Sequence, residues 1–364
     1  MSKKGYRRKK VRLRRPVKRL LVMGVTLCCI MAFLFGTFLV VKSFGKSSLK
    51  KHAGEMAGEE VSIQIKEAVA MEQEQTIELQ EGQILVEGEV YEYNKDIMTF
   101  LCMGIDSRSG ITKEKTPGKA GQADALILIV VNPRREKVDV IAVNRDTMTS
   151  IEVYDEAGVY LGEEEKQLAL QYAYGDGREE SCILMEKKVS DLFYGIPIHG
   201  YGAMDMQSIA TLNDAVGGVE VTILEDMTKF NKNWTKGTQV KLQGKDAEIY
   251  IARRDASHTG TNLGRIERQK QYLSEYVKQA KKRMKEDLLL PFSIFQELQQ
   301  HLVTSLTVQE IAFLADTVLG FEFSTENLIN LPGELEMGEK SEEFYLDEDS
   351  LREIIVDVFY EKVN

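Results

Sequence analysis

The sequence predicts an α/β protein built on a mixed β-sheet and preceded by one membrane-spanning helix. Three observations predict it. Apolar runs of strand length alternate with stretches of helical period from about residue 97 onward. Two of those runs are joined only by the short turn "NPRREK", which makes them a hairpin and keeps the sheet from being wholly parallel. Residues 20–41, "LLVMGVTLCCIMAFLFGTFLVV", run for 22 positions without a charge. At about 1.5 Å per residue they reach roughly 33 Å, enough for the hydrocarbon core of a bilayer.

The basic head comes first. Residues 3–19 hold 11 Lys and Arg and no acid, so the rest of the chain is more acidic than the net charge of −10 suggests. That balance excludes a general nucleic-acid binder. The uncharged run behind it is longer than the apolar region of a signal peptide and lacks a small-x-small cleavage site, which favours a retained anchor. The Lys and Arg excess then places residues 1–19 in the cytoplasm and everything from about residue 45 outside, a single-pass cell-membrane topology with an extracellular C-terminal domain. Cys28 and Cys29 fall in the apolar run as small apolar residues. Cys102 and Cys182 lie beyond it with no CxxC or Cys/His cluster, so a zinc site is not expected and two free thiols are favoured over a disulfide.

Residues 42–92 are polar, rich in Glu, Gln, Lys and Gly, and read as a stalk. A first strand runs over about 97–105 and delivers Asp106, Ser107 and Arg108 to a Gly-containing loop. "ADALILIVVNP", 123–133, is a second strand with Asp124 at its start, and "KVDVIAV", 137–143, is a third that leads directly into Asn144, Arg145 and Asp146. "QLALQYAYGDG" and "ESCILMEKKVSDLFYG" read as helical, and "QSIATLNDAVGGVEVTI" as helix, Gly-Gly stop and strand. After a Gly-rich region holding Trp234 and the segment "GKDAEIYIARRD", residues 262–284 place Ile266, Tyr272, Leu273, Tyr276, Val277 and Ala280 at helical period, with Asn262 as N-cap. Residues 286–364 form a mainly helical extension, with a strand-like stretch near "ENLINLPGE".

No Gly-x-Ser-x-Gly, Walker loop or metal-binding His/Cys cluster occurs, so hydrolase triads and zinc catalysis are poor fits. What stands out is a set of Asp and Arg residues at strand and helix ends: Asp106, Arg108, Asp124, Arg145, Asp146, Arg253, Arg254, Arg265 and Gln269. Two carboxylates on neighbouring strand ends suit one Mg²⁺ shared with substrate phosphates. Guanidinium forks suit a pyrophosphate. Arg265 and Gln269, four apart, share a helix face near its positive end. Each residue also has a plain structural reading: a strand-end ion pair at 145–146, a charged turn at 253–254, a turn former at 106, a solvated helix residue at 265.

The ordered motifs "GIDSR", "DALILIVVNP", "RDT", "YAYG", "LNDAVGGVEV", "YIARRD" and "GRIERQKQYL" resemble the LytR-CpsA-Psr family of cell-wall enzymes over about residues 97–285, with a domain over 93–285. The resemblance implies an α/β/α sandwich around a mixed sheet. It implies a membrane-anchored phosphotransferase that moves a glycopolymer, such as teichoic acid or capsular polysaccharide, from a polyprenyl pyrophosphate lipid onto peptidoglycan. By resemblance Asp106 and Asp124 hold Mg²⁺ (Mn²⁺ as a substitute) and act with Arg145 as catalytic residues. Arg108, Arg254 or Arg253, Arg265 and Gln269 bind the pyrophosphate. The chain departs from the family pattern at Gln122 (usually Arg), Asn144 (usually Pro), Ala252 (usually Arg), Asn262 (usually Asp), and at Gln167 to Ala169, which lack the usual Lys and Asn. The alternative is a non-catalytic lipid-pyrophosphate binder or envelope regulator.

Overall fold

A computed structural model describes residues 45–51, 79–80, 82–107, 110–253, 261–338 and 341–363. In chain order the strands are β1 (Gln83–Val86), β2 (Glu89–Tyr93), β3 (Met98–Ile105), β4 (Ala123–Asn132), β5 (Lys137–Val143), β6 (Met148–Tyr154), β7 (Tyr160–Gln167), β8 (Gly200–Asp205), β9 (Val219–Thr222), β10 (Gln239–Leu242), β11 (Leu302–Thr304), β12 (Leu328–Asn330), β13 (Gly333–Met337), β14 (Glu342–Leu346) and β15 (Tyr360–Lys362). The central sheet has six strands in the order β11-β8-β3-β4-β5-β12. It is mixed: β3 is parallel to β8 and antiparallel to β4, β5 is antiparallel to β4 and parallel to β12, and β11 runs against β8.

Alternating side chains send the two faces of the sheet into different cores. Leu101, Met103 and Ile105 of β3 join Cys182, Met185 and Val189 of helix Glu179–Leu192 and Leu351 and Ile355 of helix Glu348–Phe359. Met98 and Phe100 of the same strand face the other way, onto Leu49 of the helical segment 45–51 and Phe313 of helix Val308–Val318. The result is helix, sheet, helix, which is how a sheet that is apolar on both faces leaves water. A separate core gathers Val219 and Val221 of β9, Trp234, Tyr250 of helix Lys245–Ala252, and Tyr272 of the long helix Thr261–Glu286.

Several expectations are corrected. Among the described residues no helix is long and apolar enough to cross a membrane; the longest, Thr261–Glu286, is amphipathic and studded with Lys, Arg and Glu. Residues 20–41, where the spanning helix was expected, lie outside the described residues. The described architecture is therefore the α/β sandwich without a transmembrane helix, and the membrane anchor and single-pass topology derived from it are withdrawn. Part of the segment read as stalk is packed: β1 pairs with β2 and β2 with β15, and Ile84 is fully buried. "LALQYAY" forms a 3-10 helix, Leu168–Tyr174. Asn262 lies within the first turn of its helix instead of capping it. The hairpin β6–β7 was missed because β7, "YLGEEEKQ", lacks apolar alternation.

Candidate active site at the sheet's C-terminal rim

The topology puts the carboxyl ends of β3, β5, β8 and β12 and the starts of β4 and β11 along one edge of the sheet. Open α/β sheets place their ligands at such an edge. Asp106 follows β3 there and is exposed. Asp124 enters on β4 in an uncommon way. Gly104 pairs with Ala125 and Ile105 with Ala123, so Asp124 is the extra residue of a β-bulge, a device that re-aims one side chain at a strand end. Gly104 permits the local crowding, since a Cβ there would lie 3.0 Å from that of Ala125.

β5 ends in a turn built by Asn144. Its side-chain oxygen accepts from the Asp146 N–H (3.0 Å), and its carbonyl accepts from the Thr147 N–H (3.1 Å) and hydroxyl (2.7 Å). An asparagine thus does by hydrogen bonding what a proline would do by its ring. The turn is pinned from outside: Ala169 N–H donates to the Arg145 carbonyl (3.0 Å) and Phe344 N–H to that of Asp146 (2.9 Å). Gln167, where the family pattern has another residue type, donates from its amide to Asp146 Oδ1 (3.2 Å) and the Glu342 carbonyl (2.6 Å).

So held, the Arg145 guanidinium lies between two acids, with Nη1 2.5 Å from Asp124 Oδ1 and Nε 3.5 Å from Asp146 Oδ1. Partial burial works against its charge, but the field of Asp124 and then Asp146 outweighs it and raises the guanidinium above its ordinary value. Partial burial pushes the Asp146 carboxyl up, with Glu342 and Asp124 adding and Arg145 opposing. Arg145 keeps 44 % of its side chain exposed, enough to meet a ligand arriving from solvent.

The metal expectation rests on Asp106 and Asp124. No group of three or more His, Cys, Asp or Glu able to hold an ion occurs among the described residues. Asp106 directly follows β3 and Asp124 lies at the start of the adjacent β4, and only one Asp124 oxygen is bound by Arg145. Two carboxylates with water and substrate oxygens completing the shell are a donor set suited to Mg²⁺.

The remaining expected residues divide. Arg108 and Arg254 lie outside the described residues. Arg265 is half-buried on its helix. Arg253 is exposed, and Gln269 donates its amide to the Ile251 carbonyl (3.1 Å), so both are tied to the end of helix Lys245–Ala252 instead of to Arg145. Between them sits Arg268, which the sequence reading passed over. Its side chain is 1 % exposed and pairs with Glu225 (2.9 Å). It also donates to the carbonyls of Tyr250 and Arg253, the latter at 2.6 Å, and lies 5.6 Å from the centre of the Tyr250 ring. Arg268 fixes where the chain leaves that helix at Arg253. The local signal for it is slight: the position falls between Arg265 and Gln269, within little more than one helical turn, and reads as one more surface charge. Cys102 and Cys182 are free thiols.

These features define a mixed-sheet α/β protein with an Asp/Arg rim suited to a phosphorylated ligand. The LytR_cpsA_psr family model matches residues 55–357, and the chain belongs to that family. A teichoic acid–peptidoglycan transferase named TagU from Halalkalibacterium halodurans is 30 % identical over 189 residues, 51 % of this chain and 54 % of the relative. Biofilm regulatory protein A of Streptococcus mutans is 28 % identical over 191 residues, 50 % of this chain and 43 % of the relative. The chain spans about half the length of the curated relatives it matches. The crystal structure of B. subtilis TagV superposes with a TM-score of 0.53 at 19 % identity, covering 73 % of this chain and 96 % of that one, a likeness of fold.

Proposed function

We propose that this chain is a phosphotransferase that moves a glycopolymer from a polyprenyl pyrophosphate donor onto peptidoglycan. The observation that carries the reading is Arg145 held between Asp124 and Asp146 on the C-terminal rim, one strand from Asp106. The name of the TagU relative, a transferase of teichoic acid to peptidoglycan, supports the same chemistry. Arg145 donates to the oxygens of the transferred phosphate, while Asp146 and Gln167 keep its turn in place. Asp106 and Asp124 hold Mg²⁺, or Mn²⁺ in its stead, and the ion when bound offsets pyrophosphate charge. Arg108, Arg254 or Arg253, Arg265 and Gln269 are the residues this reading assigns to the rest of the head group. Phosphoryl transfer asks the protein chiefly for positioning and charge stabilisation, which is what this residue set offers.

The test is transfer of a pyrophosphate-linked saccharide to a peptidoglycan acceptor by the full chain with Mg²⁺. Arg145→Ala is expected to lower the rate about 10²–10³-fold, the usual loss for one charge-stabilising donor, and chelation is expected to abolish it. Equal, negligible transfer by wild type and variant, with the lipid still bound, overturns the reading. That result would favour a lipid-pyrophosphate binder or envelope regulator instead, a second reading that Gln122 in place of arginine and the name of the Streptococcus mutans relative support.

A further inference from the structure

The same rim carries a polar pair that the transfer chemistry above leaves unused. His301 immediately precedes β11, and Asp205 ends β8. The Asp205 N–H donates to the His301 carbonyl (3.3 Å), and the imidazole Nδ1 lies 2.6 Å from Asp205 Oδ2. The other carboxylate oxygen accepts from the backbone N–H groups of Gln207 (3.0 Å) and Ser208 (3.1 Å) and from the Ser208 hydroxyl (3.2 Å). The Asp205 side chain is wholly buried, whereas the His301 ring keeps 24 % of its surface in solvent. A carboxylate can only accept, so it fixes the imidazole proton on Nδ1 and leaves the Nε2 lone pair available. No partner meets Nε2 among the described residues.

The pair adjoins Asp106. Asp205 stands beside Ile105 in the parallel pairing of β3 and β8, and Asp106 is the next residue. The loop after Asp106 touches the segment before His301, for a Cβ on Gly110 would lie 3.5 Å from the Gln300 carbonyl. Two inter-strand steps separate His301 from Asp106, about 10 Å between backbones, a span that two side chains and a sugar hydroxyl can bridge. Transfer to a sugar also needs a group to take the hydroxyl proton.

We infer that His301, oriented by the buried Asp205, is the base that activates the acceptor hydroxyl; this rests on the transfer reading above. The Nε2 lone pair takes the hydroxyl proton as the hydroxyl oxygen bonds to the phosphorus bearing the glycopolymer. The bond from that phosphorus to the bridging pyrophosphate oxygen breaks, and its electron pair leaves with polyprenyl phosphate. The imidazolium then returns its proton to solvent. Asp205 and Ser208 are positioning residues.

The experiment compares wild type, His301→Gln, His301→Ala and Arg145→Ala for transfer, lipid-donor binding and melting temperature, with and without free imidazole. The expected result is a fall of about 10²–10⁴-fold for both His301 variants, the range for a lost general base. Donor binding and melting temperature are expected to hold, and imidazole to restore part of the rate in His301→Ala but not in Arg145→Ala. Transfer by the His301 variants within about twofold of wild type, or a loss that imidazole does not relieve in the folded alanine variant, overturns the base while leaving the transferase reading intact. No transfer by wild type overturns the transferase reading, and the base with it.

Discussion

Replacing Arg268 with methionine keeps most of the stem's apolar contact and removes only the guanidinium, which makes it a clean probe of that group's hydrogen bonds. The loss falls on three acceptors. The Tyr250 and Arg253 carbonyls lose charged donors in a buried setting, at about 1–3 kcal/mol each for an acceptor left unsatisfied. Glu225 is 39 % exposed and turns to water, so its ion pair adds little once screened. The net is about 3–5 kcal/mol, the usual cost of breaking a buried charged network from one side. At about 2 °C per kcal/mol for a chain of this size, the melting temperature falls about 6–10 °C. A thermal melt followed by circular dichroism reads this directly. Amide exchange should quicken at Arg253, whose N–H closes the helix onto Ile249. A melting temperature within about 1 °C of wild type would refute the reasoning, because it would mean that the two carbonyls find other donors at no cost.

Two further outcomes follow from burial and close packing. Burial pushes the Glu186 carboxyl up to about 7. An acid whose folded pKa is raised holds its proton more tightly when folded, so its contribution is full below about 4.5 and is lost as pH rises through about 7. Glu186→Gln should therefore gain up to about 3 kcal/mol over wild type at pH 8 relative to pH 4; urea midpoints at the two pH values that shift together would contradict this. Gly175→Ala should destabilise by about 3 kcal/mol, since the new Cβ would lie 2.4 Å from the Ser181 backbone N and 2.5 Å from its Cα. That helix start has no flexible atom to yield, and an unchanged melting temperature would show that it moves freely.

Much of the site was legible from the order of residues alone. The strands that carry Asp106, Asp124 and Arg145 are continuous apolar runs, and such runs announce themselves because a sheet buried on both faces needs them. The hairpin between β4 and β5 followed from a turn too short for a crossover. Charged residues directly behind such strands marked the rim, and the spacing of motifs carried the family.

Other features depend on contacts between residues distant in sequence. Periodicity has no sign for a bulge, so only the pairing of β3 with β4 makes Asp124 the residue turned toward Arg145. Arg268 looked like one more charge on an exposed helix until two carbonyls from another helix closed over it. His301 and Asp205 lie 96 residues apart, and nothing local couples them. The sequence by itself determined which segments could be strands and helices and which charges flank them, because hydrophobic period and turn chemistry are local. Tertiary structure alone decided which charges meet, because the strand order β11-β8-β3-β4-β5-β12 is set by the packing of whole faces.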